Sequence, residues 1–247
     1  MAPLRTALAV LWTAVYFSFL SAVVILSGGL LGARFINRWA PVWARTVLRI
    51  GGVRLRVIGR ERVMEGRSRI FVMNHTSTLD FIVIAALNPP GFTGLVKREF
   101  LYMPLIGLVF WLLGMVFIDR KDPVKAREGV RRIGELLRER PRTACVFPEG
   151  TRSRTGQLQP FKLGAFHLAR ETGAPMLPVV CHGAFRLIRP GAPVVVPGEV
   201  VLVIQPEIDP RGWTAEGARA EASTLHDQYA RWIDEGPPQE GGELIVP

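Results

Sequence analysis

Short apolar runs alternate with longer amphipathic segments over most of this 247-residue chain. Runs of about four to eight apolar residues bounded by Gly, Pro or charge are typical of strands, and an apolar period of about 3.6 is typical of helices. The predicted strands are residues 53–58, 70–73, 92–97, 115–119, 143–147 and 176–182, with two short strands within 194–205 around Pro197-Gly198. The predicted helices are residues 78–87, 105–113, 123–139, 161–172 and 214–234. This alternation predicts an α/β fold in which a mixed, largely parallel sheet is flanked by helices.

The N-terminal part has a different pattern. Residues 6–33 carry no charged side chain, and about 20 apolar residues are enough to cross a bilayer. We therefore predict that residues 1–50 form a membrane-anchoring helical segment. Because Ser27-Gly28-Gly29 interrupts the apolar run, a single spanning helix and a pair of helices that dips into one leaflet both fit. A cleaved signal peptide fits less well, because the run is long and no Ala-x-Ala site closes it.

Residues 34–50 are amphipathic, and their four arginines share one helical face. The residues broadly opposite are Ile36, Trp39, Trp43, Val47 and Ile50. This pattern predicts a helix at the lipid surface, kinked or starting late at Pro41, although a helix docked on the domain has the same pattern. One arginine precedes the apolar run and four follow it. The positive-inside rule therefore places the bulk of the protein on the cytoplasmic side.

The main candidate for chemistry is a histidine followed five residues later by an aspartate. His75 and Asp80 come just after the predicted strand 70–73. Asp80 would lie in the first turn of the next helix, where negative charge is favoured, and would reach back to His75. Imidazole transfers protons near neutral pH, and a carboxylate on its far nitrogen fixes its tautomer. This spacing alone is common, and three motifs downstream give it weight.

Each of these three motifs is a strand-like run that ends in charge, Gly or Pro. The first, residues 114–120, contains Phe117 and Arg120; the others are residues 146–153 and 175–180. The motif at residues 146–153 contains Glu149, Gly150, Thr151 and Arg152. Charged groups at successive strand ends are typical of a site at the edge of a sheet.

Together and in this order, the four motifs resemble the glycerolipid acyltransferase family over about residues 50–210. The matching positions are His75 and Asp80 in the first block, Phe117 and Arg120 in the second, residues 147–150 in the third and Pro178 in the fourth. The resemblance implies an O-acyltransferase of phospholipid biosynthesis. Its acyl donor would be acyl-CoA or acyl carrier protein, a co-substrate rather than a cofactor, and its acceptor the membrane lipid 1-acylglycerol-3-phosphate (lysophosphatidic acid), giving phosphatidic acid. It further implies that His75 and Asp80 are catalytic. The implied acceptor contacts are Phe117, Arg120, Glu149 and Gly150.

The reaction that this resemblance implies sets requirements on the site. An alcohol needs a base to remove its proton, and His75 is the candidate. The acceptor phosphate needs fixed cations. The candidates are Lys97, Arg120 and Arg152, with Thr151 as a helper. We expect the oxyanion donors to be backbone amides after His75 or the Asn74 side chain, and we expect residues 105–113 to line an apolar groove for the acyl chain.

Charge supports a lipid-facing protein. The net charge is +10, and residues 199–247 contain ten acidic and three basic residues, a net of −7, so the remainder carries +17. A basic body beside an apolar anchor favours anionic lipid and phosphate-bearing substrates over nucleic acid, for which no motif is present. No pair of residues has metal-ligand spacing, so no metal is predicted. Cys145 and Cys181 lie in apolar runs and are predicted to be buried thiols.

We predict a catalytic domain at residues 51–235 and a flexible tail at residues 236–247. Two alternatives to the leading function stay open. The acceptor is another lyso-lipid in one of them, such as a lyso-ornithine lipid or a lysophospholipid with a larger headgroup. In the other, the chain is a non-catalytic lipid-surface binding module, against which the His–Asp pair argues because binding alone has no use for it.

Overall fold

A computed structural model describes residues 1–63, 66–103, 105–119, 122–189, 191 and 194–247, with the backbone alone at residues 33, 34 and 123. The helices are α1 (Ala2–Leu26), α2 (Gly32–Gly51), α3 (Leu79–Leu87), α4 (Ile106–Leu112), α5 (Pro123–Glu139), α6 (Gly164–Thr172), α7 (Ala184–Leu187) and α8 (Ala215–Glu235). The strands are β1 (Val53–Ile58), β2 (Arg69–Met73), β3 (Thr93–Lys97), β4 (Val116–Ile118), β5 (Thr143–Val146), β6 (Met176–His182), β7 (Gly198–Ile204) and β8 (Glu243–Val246). Two short 3₁₀ segments are Arg60–Arg62 and Arg98–Tyr102.

Eight strands from the described residues form one sheet, in the order β4-β3-β5-β2-β6-β7-β1-β8. The first five in this order run parallel to one another. β7 is antiparallel to β6, β1 is parallel to β7, and β8 is antiparallel to β1. The predicted α/β fold with a mixed, largely parallel sheet is confirmed. Only one strand forms within 194–205, where two were predicted.

Alternate residues of the central strands face two hydrophobic cores, because successive strand side chains point to opposite faces. Phe71 and Met73 face a core that includes residues of α1 to α4, whereas Ile70 and Val72 face a core that includes residues of α5, α6 and α8. Burial on both faces explains why β2 reads as an almost continuous apolar run. The carboxyl ends of the parallel strands lie between these two layers, which leaves one edge of the sheet for a site.

The N-terminal helix packs along the domain. Within the described residues, α1 is the one helix long and apolar enough to cross a membrane by length and composition. The Val195 amide donates to the Thr6 hydroxyl over 3.0 Å, and the Trp43 indole N–H donates to the Thr13 hydroxyl over 3.1 Å. α1 ends just before the predicted break, and a turn over residues 27–31 leads into α2. The segment that was predicted to anchor the protein therefore consists of two helices.

The second helix differs from the sequence prediction. α2 is continuous through Pro41, and it packs against α1 and α3. Ile36, Trp43 and Val47 are buried in the core, while Trp39 is half-exposed. The prediction that this apolar face meets lipid is therefore wrong for most of its residues. An amphipathic stripe has the same period whether protein or lipid covers it, so the pattern alone did not distinguish the two.

The prediction of a flexible tail at residues 236–247 is wrong for Glu243–Val246. β8 pairs with β1, and Ile245 and Val246 are buried. The Arg60 guanidinium lies 2.7 Å from the Glu243 carboxylate and fastens the start of the strand. β8 covers an edge of the sheet that would otherwise expose unpaired backbone groups. Four residues are too few for an apolar pattern to predict such a strand.

Candidate active site

Three of the four predicted motifs, together with Lys97, lie at the carboxyl edge of four adjacent parallel strands, while the fourth motif lies on β6. β4, β3, β5 and β2 are neighbours in the sheet. β2 leads into His75, β3 ends at Lys97, and β5 leads into residues 147–152. Residues that are roughly 20 to 70 positions apart in the sequence therefore lie at one edge of the sheet, because parallel strands all end on the same side.

His75 and Asp80 form the predicted contact. His75 Nδ1 lies 2.8 Å from Asp80 Oδ2. The Asp80 side chain is fully buried, and the His75 side chain keeps 12% of its surface exposed. Because Asp80 occupies Nδ1, the other ring nitrogen, Nε2, is the one left for a reacting group. The arrangement matches a base held in one tautomer by a buried carboxylate.

The turn between these two residues holds Asp80 in place. The backbone amides of Thr76 and Ser77 both donate to Asp80 Oδ2, each over 2.8 Å. The expectation that amides after His75 bind a reaction oxyanion is therefore wrong for these two groups, since they bind Asp80. Asn74 is engaged as well, because its side chain exchanges two hydrogen bonds with the backbone of Cys181, of 2.8 and 3.1 Å.

A second buried carboxylate binds the backbone of His75. Glu149 is 2% exposed. Its Oε1 accepts the backbone N–H of His75 over 2.6 Å, and its Oε2 accepts the backbone N–H of Gln159 over 3.1 Å. Burial raises the pKa of Glu149 to about 7, although the two backbone donors act in the opposite direction. The carboxylate thereby links the loop after β2 to the loop after β5.

His75 is also held by a ring that stacks on its imidazole and by a backbone hydrogen bond to its carbonyl. The ring of Phe147 stacks on it, with centroids 3.9 Å apart and planes 19° from parallel. The Ser153 amide donates to the His75 carbonyl over 2.8 Å. Sequence reasoning included Phe147 in a motif without giving it a role. It did not single out Gln159, and neither residue type signals such a role from sequence alone.

The loop after β5 turns sharply at Gly150, which has a φ of +73°. A Cβ there would lie 2.8–2.9 Å from three atoms of the Lys162 side chain. Glycine is therefore required by the backbone conformation, whereas the space is limited only by the far end of a flexible side chain. Thr151 is exposed and accepts through its carbonyl from the Gln159 side chain. The exposed Arg152 donates to the Thr78 hydroxyl over 2.5 Å, next to the start of α3.

The remaining predicted residues lie on the neighbouring strands. Lys97 is exposed at the end of β3, and Phe117 is partly buried on β4, packed against the α1–α4 core. Arg120 lies outside the described residues. The structure therefore brings the His75–Asp80 pair, the loop after β5 and Lys97 to one edge, with Phe117 one strand farther out.

An apolar cavity of about 480 Å³ begins beside this edge, on the face of the sheet covered by α5 and α6. Phe147 and Gly150 line its end nearest His75. Its other walls include Leu95, Ile118, Val130 and Ala165, with Arg127, Lys162 and His167 among the polar lining residues. This cavity does not coincide with the groove predicted along residues 105–113, because α4 packs in the core on the opposite face of the sheet.

Cys145 and Cys181 are free and buried, as predicted, and burial raises the pKa of both thiols. Cys181 Sγ lies 3.8 Å from Asp80 Oδ1, a contact that the sequence did not indicate. His182 is half-buried, and burial lowers its pKa to about 4. Among the residues that the structure describes, no three His, Cys, Asp or Glu side chains form a metal-binding group.

Comparison with known proteins agrees with this geometry. A family model described as Acyltransferase matches residues 54–182. The chain is 30% identical over 222 residues to the 1-acyl-sn-glycerol-3-phosphate acyltransferase of Limnanthes douglasii, covering 90% of this chain and 78% of the relative. It is 32% identical over 169 residues to the enzyme of that name from Haemophilus influenzae, covering 67% and 68%.

A solved structure extends the likeness to the whole fold. The crystal structure of the 1-acyl-sn-glycerophosphate acyltransferase from Thermotoga maritima superposes with a TM-score of 0.77 at 26% identity, covering 94% of this chain and 97% of that one. The likeness thus includes the N-terminal helices as well as the matched domain. The match to the family model and the shared fold, together with the His75–Asp80 pair at the sheet edge, lead to one conclusion: this chain belongs to the acyltransferase family.

Proposed function

We propose that the protein transfers a fatty acyl group from an acyl-CoA or acyl carrier protein thioester to the sn-2 hydroxyl of 1-acylglycerol-3-phosphate, giving phosphatidic acid. The observation that carries the proposal is the contact of Asp80 with His75 Nδ1 at the carboxyl edge of the sheet. The relatives named for this acceptor support the choice of substrate.

In this proposal His75 acts as a general base through Nε2. It removes the proton of the acceptor hydroxyl while the hydroxyl oxygen attacks the thioester carbonyl. The tetrahedral intermediate then collapses, the carbon–sulfur bond breaks, and the departing thiolate takes the proton back from His75. The new ester and a free thiol are the products. No acyl-enzyme is required, and both cysteines are buried as neutral thiols.

The acceptor phosphate is assigned to the cations of the exposed rim. Arg152 is tied to Thr78, close to the catalytic pair, and Lys97 ends the neighbouring strand. Arginine suits bidentate phosphate binding, and lysine adds a point charge. Glu149, in contrast, is placed as a support for the His75 backbone rather than as an acceptor ligand, because it is buried and both of its oxygens accept backbone N–H groups. Gly150 contributes a turn, and Thr151 and Phe117 stay as proposed minor contacts.

The acyl chain is assigned to the cavity beside Phe147. A volume of about 480 Å³ falls within the range of roughly 300–1,000 Å³ that is typical of small-molecule sites. The apolar part of its wall suits a hydrocarbon chain, and the end near Phe147 would leave the thioester carbonyl close to His75. The groove expected along residues 105–113 is replaced by this cavity.

The proposal includes association with a membrane surface, which α1 supports. Its exposed large side chains are apolar over the whole length of the helix, while its other face is fastened to the domain. This docking favours a helix that dips into one leaflet over one that leaves the domain and spans the bilayer. The arginines that follow the apolar run favour the cytoplasmic side for the catalytic domain.

Acyl transfer by membranes that contain the protein tests the function. Membranes of the same host lacking the protein are the control. Lysophosphatidic acid is offered with acyl-CoA and with acyl carrier protein donors, and products are identified by mass. Phosphatidic acid above the control is expected, and its yield with each donor identifies the carrier.

The same membranes offered lyso-ornithine lipid and lysophospholipids with larger headgroups test the alternative acceptors. A product from one of these lipids, with none from lysophosphatidic acid, would transfer the assignment to that acceptor. Absence of product from every combination, with the protein present and folded, would favour the binding module.

A further inference from the structure

Exposed large apolar side chains cluster in a second region besides α1. Five of them fall between residues 101 and 111, and we call them the rim patch: Leu101, Tyr102, Met103, Leu105 and Trp111, each at least 36% exposed. Elsewhere in the described residues, apart from Met1 before α1, Leu30 and Leu31 in the turn after it, and Trp39 and Val42 on α2, such side chains lie singly, at Val124, Val196 and Leu244. Single exposed apolar residues are ordinary, but a cluster marks a surface that another apolar body covers.

The rim patch lies beside the candidate active site. The 3₁₀ segment Arg98–Tyr102 begins directly after β3, whose carboxyl end lies at the same edge of the sheet as His75. Leu101, Tyr102 and Met103 therefore follow Lys97, the cation that is assigned to the acceptor phosphate, by only a few residues.

Aromatic contacts connect the rim patch to the catalytic helix. The ring of Phe110 on α4 lies 5.6 Å from that of Phe100 and 5.1 Å from that of Phe81, measured between centroids. Phe81 follows Asp80 directly on α3. The apolar surface is therefore presented on a packed support rather than on a loose loop.

The chemistry of the rim patch fits a bilayer surface. Residues 100–113 contain no charged side chain, whereas Lys97 and Arg98 just before them are exposed, next to one acid, Glu99. The guanidinium carbon of Arg98 lies 6.0 Å from the centre of the Tyr102 ring. Tyr and Trp beside basic residues are typical of the membrane–water interface, where the cations face anionic headgroups. α4 also packs against α1 and α2, so the rim patch and the apolar face of α1 belong to neighbouring elements.

From these observations we infer that the rim patch is a second contact with the phospholipid bilayer, at the mouth of the active site. It seats the mouth in the headgroup region, so that a lyso-lipid passes from the leaflet to His75 without exposing its chain to water. This role rests on the proposed function, because it assumes that the acceptor is a membrane lipid. Anchoring as such remains with α1, so the rim patch governs access rather than attachment.

A triple variant with a matched control tests access. Leu101→Ser, Met103→Ser and Trp111→Ser are combined in the rim variant. Val124→Ser, Val196→Ser and Leu244→Ser are combined in the control variant, which also replaces three exposed apolar side chains. Turnover is measured with long-chain lysophosphatidic acid in vesicles of phosphatidylcholine and phosphatidylglycerol, and with a short-chain lysophosphatidic acid dissolved as monomers.

We expect the rim variant to lose about tenfold or more in kcat/KM on vesicles, since three apolar contacts with lipid are lost. With the monomeric acceptor it should stay within about twofold of the wild type, as surface substitutions usually do. Vesicle flotation should persist through α1, and the control variant should match the wild type in both assays. Equal losses of the rim variant in both assays, or no loss on vesicles, would overturn the inference.

A measurement of insertion into the bilayer that does not depend on turnover separates this inference from the proposed function. Met103→Cys and Val124→Cys are each labelled with an environment-sensitive fluorophore, since both native cysteines are buried. The label at position 103 should brighten and shift to the blue on vesicles, while the label at 124 should not. If this occurs in a protein that acylates no lyso-lipid, the contact stands and the proposed function fails. A change at 103 that instead follows protein concentration without lipid would assign the rim patch to a second copy of the chain and overturn the inference.

Discussion

The His75–Asp80 pair and the cations Lys97 and Arg152 lie at one edge of one sheet, yet their surroundings differ. Asp80 and Glu149 are buried, and their oxygens accept hydrogen bonds from the backbone of the surrounding loops. Lys97 and Arg152, in contrast, are exposed. Proton transfer depends on position to within a fraction of an ångström, whereas attraction between a cation and a phosphate acts over several ångströms. We therefore expect changes in the buried carboxylates to lower kcat, and changes in the exposed cations mainly to raise KM.

The largest effect is expected from the carboxylate that orients the histidine. Asp80→Asn replaces an oxygen that accepts from His75 and two amides, so a side-chain amide N–H faces groups that are themselves donors, or the imidazole takes the wrong tautomer. We expect kcat to fall by roughly 10²–10⁴, with vesicle binding unchanged. Steady-state kinetics with lysophosphatidic acid, together with flotation, measure both. A variant with nearly normal kcat would show that Asp80 has no part in orienting the base.

Glu149→Gln is expected to follow, at roughly 10–100-fold in kcat. Glutamine has one oxygen, so one of the two backbone N–H groups that Glu149 now accepts, from His75 or Gln159, would face an amide N–H instead. An unmatched buried donor costs about 1–3 kcal/mol. A rise in KM without a fall in kcat would contradict this role and would return Glu149 to acceptor binding.

The same variant carries a pH prediction. The pKa of Glu149 is raised from 4.5 to about 7 in the folded protein, so the folded state binds more protons than the unfolded state between these values. Stability from this group is thus highest below pH 4.5 and is lost as the pH rises through 7. The difference in Tm between Glu149→Gln and wild type, followed from pH 4.5 to 8 or so, should shift in favour of the variant. A constant difference would contradict the raised pKa.

The role of the exposed cations is tested by Lys97→Gln, which keeps a similar side-chain length and removes the charge. We expect KM for lysophosphatidic acid to rise by about fivefold and kcat to change little, since an exposed cation contributes about 1 kcal/mol to binding a phosphate. Added salt should narrow the gap between variant and wild type by screening the same attraction. A fall in kcat as large as that of Glu149→Gln would show that the buried carboxylates and the exposed cations do not act separately on kcat and KM.

The smallest effect is expected at the thiol that approaches the second oxygen of Asp80. Cys181→Ala removes the Sγ that lies 3.8 Å from Oδ1. Thiols are weak donors, so a severalfold fall in kcat is expected, on the order of 0.5–1 kcal/mol. Cys181→Ser restores a donor and should recover most of this loss. If serine and alanine behave alike while both proteins unfold at the same temperature as the wild type, the contact has no effect on the base.

The sequence predicts the parallel strands well because a strand buried on both faces is an apolar run. The contact of His75 with Asp80 is predictable for a similar reason, since five residues of turn and first helical turn fix its geometry. The support that Glu149 gives to His75 is harder to predict, because a sequence motif does not show whether a carboxylate is buried or solvated. The amides of Thr76 and Ser77 illustrate the same limit, since a backbone donor has no sequence signal.

Partners that are distant in the chain explain the other differences. The apolar face of α2 was assigned to lipid and is covered by α1 and α3, because periodicity does not identify what lies opposite. β8 was missed because its four residues gain their order from β1, which lies nearly two hundred positions earlier. The cavity that we assign to the acyl chain arises between α5, α6 and the sheet, where no single segment carries the pattern of a groove.

The central claim is that His75 is the base of an acyl transfer. Its most direct test compares His75→Ala with His226→Ala, which removes a histidine from α8, away from the site. Both proteins are brought to equal amounts in membranes and given lysophosphatidic acid and the preferred donor. We expect phosphatidic acid from His226→Ala at the wild-type rate and a loss of roughly 10²–10⁴ in kcat for His75→Ala, with equal membrane retention. Turnover by His75→Ala at a rate close to that of His226→Ala would contradict the account.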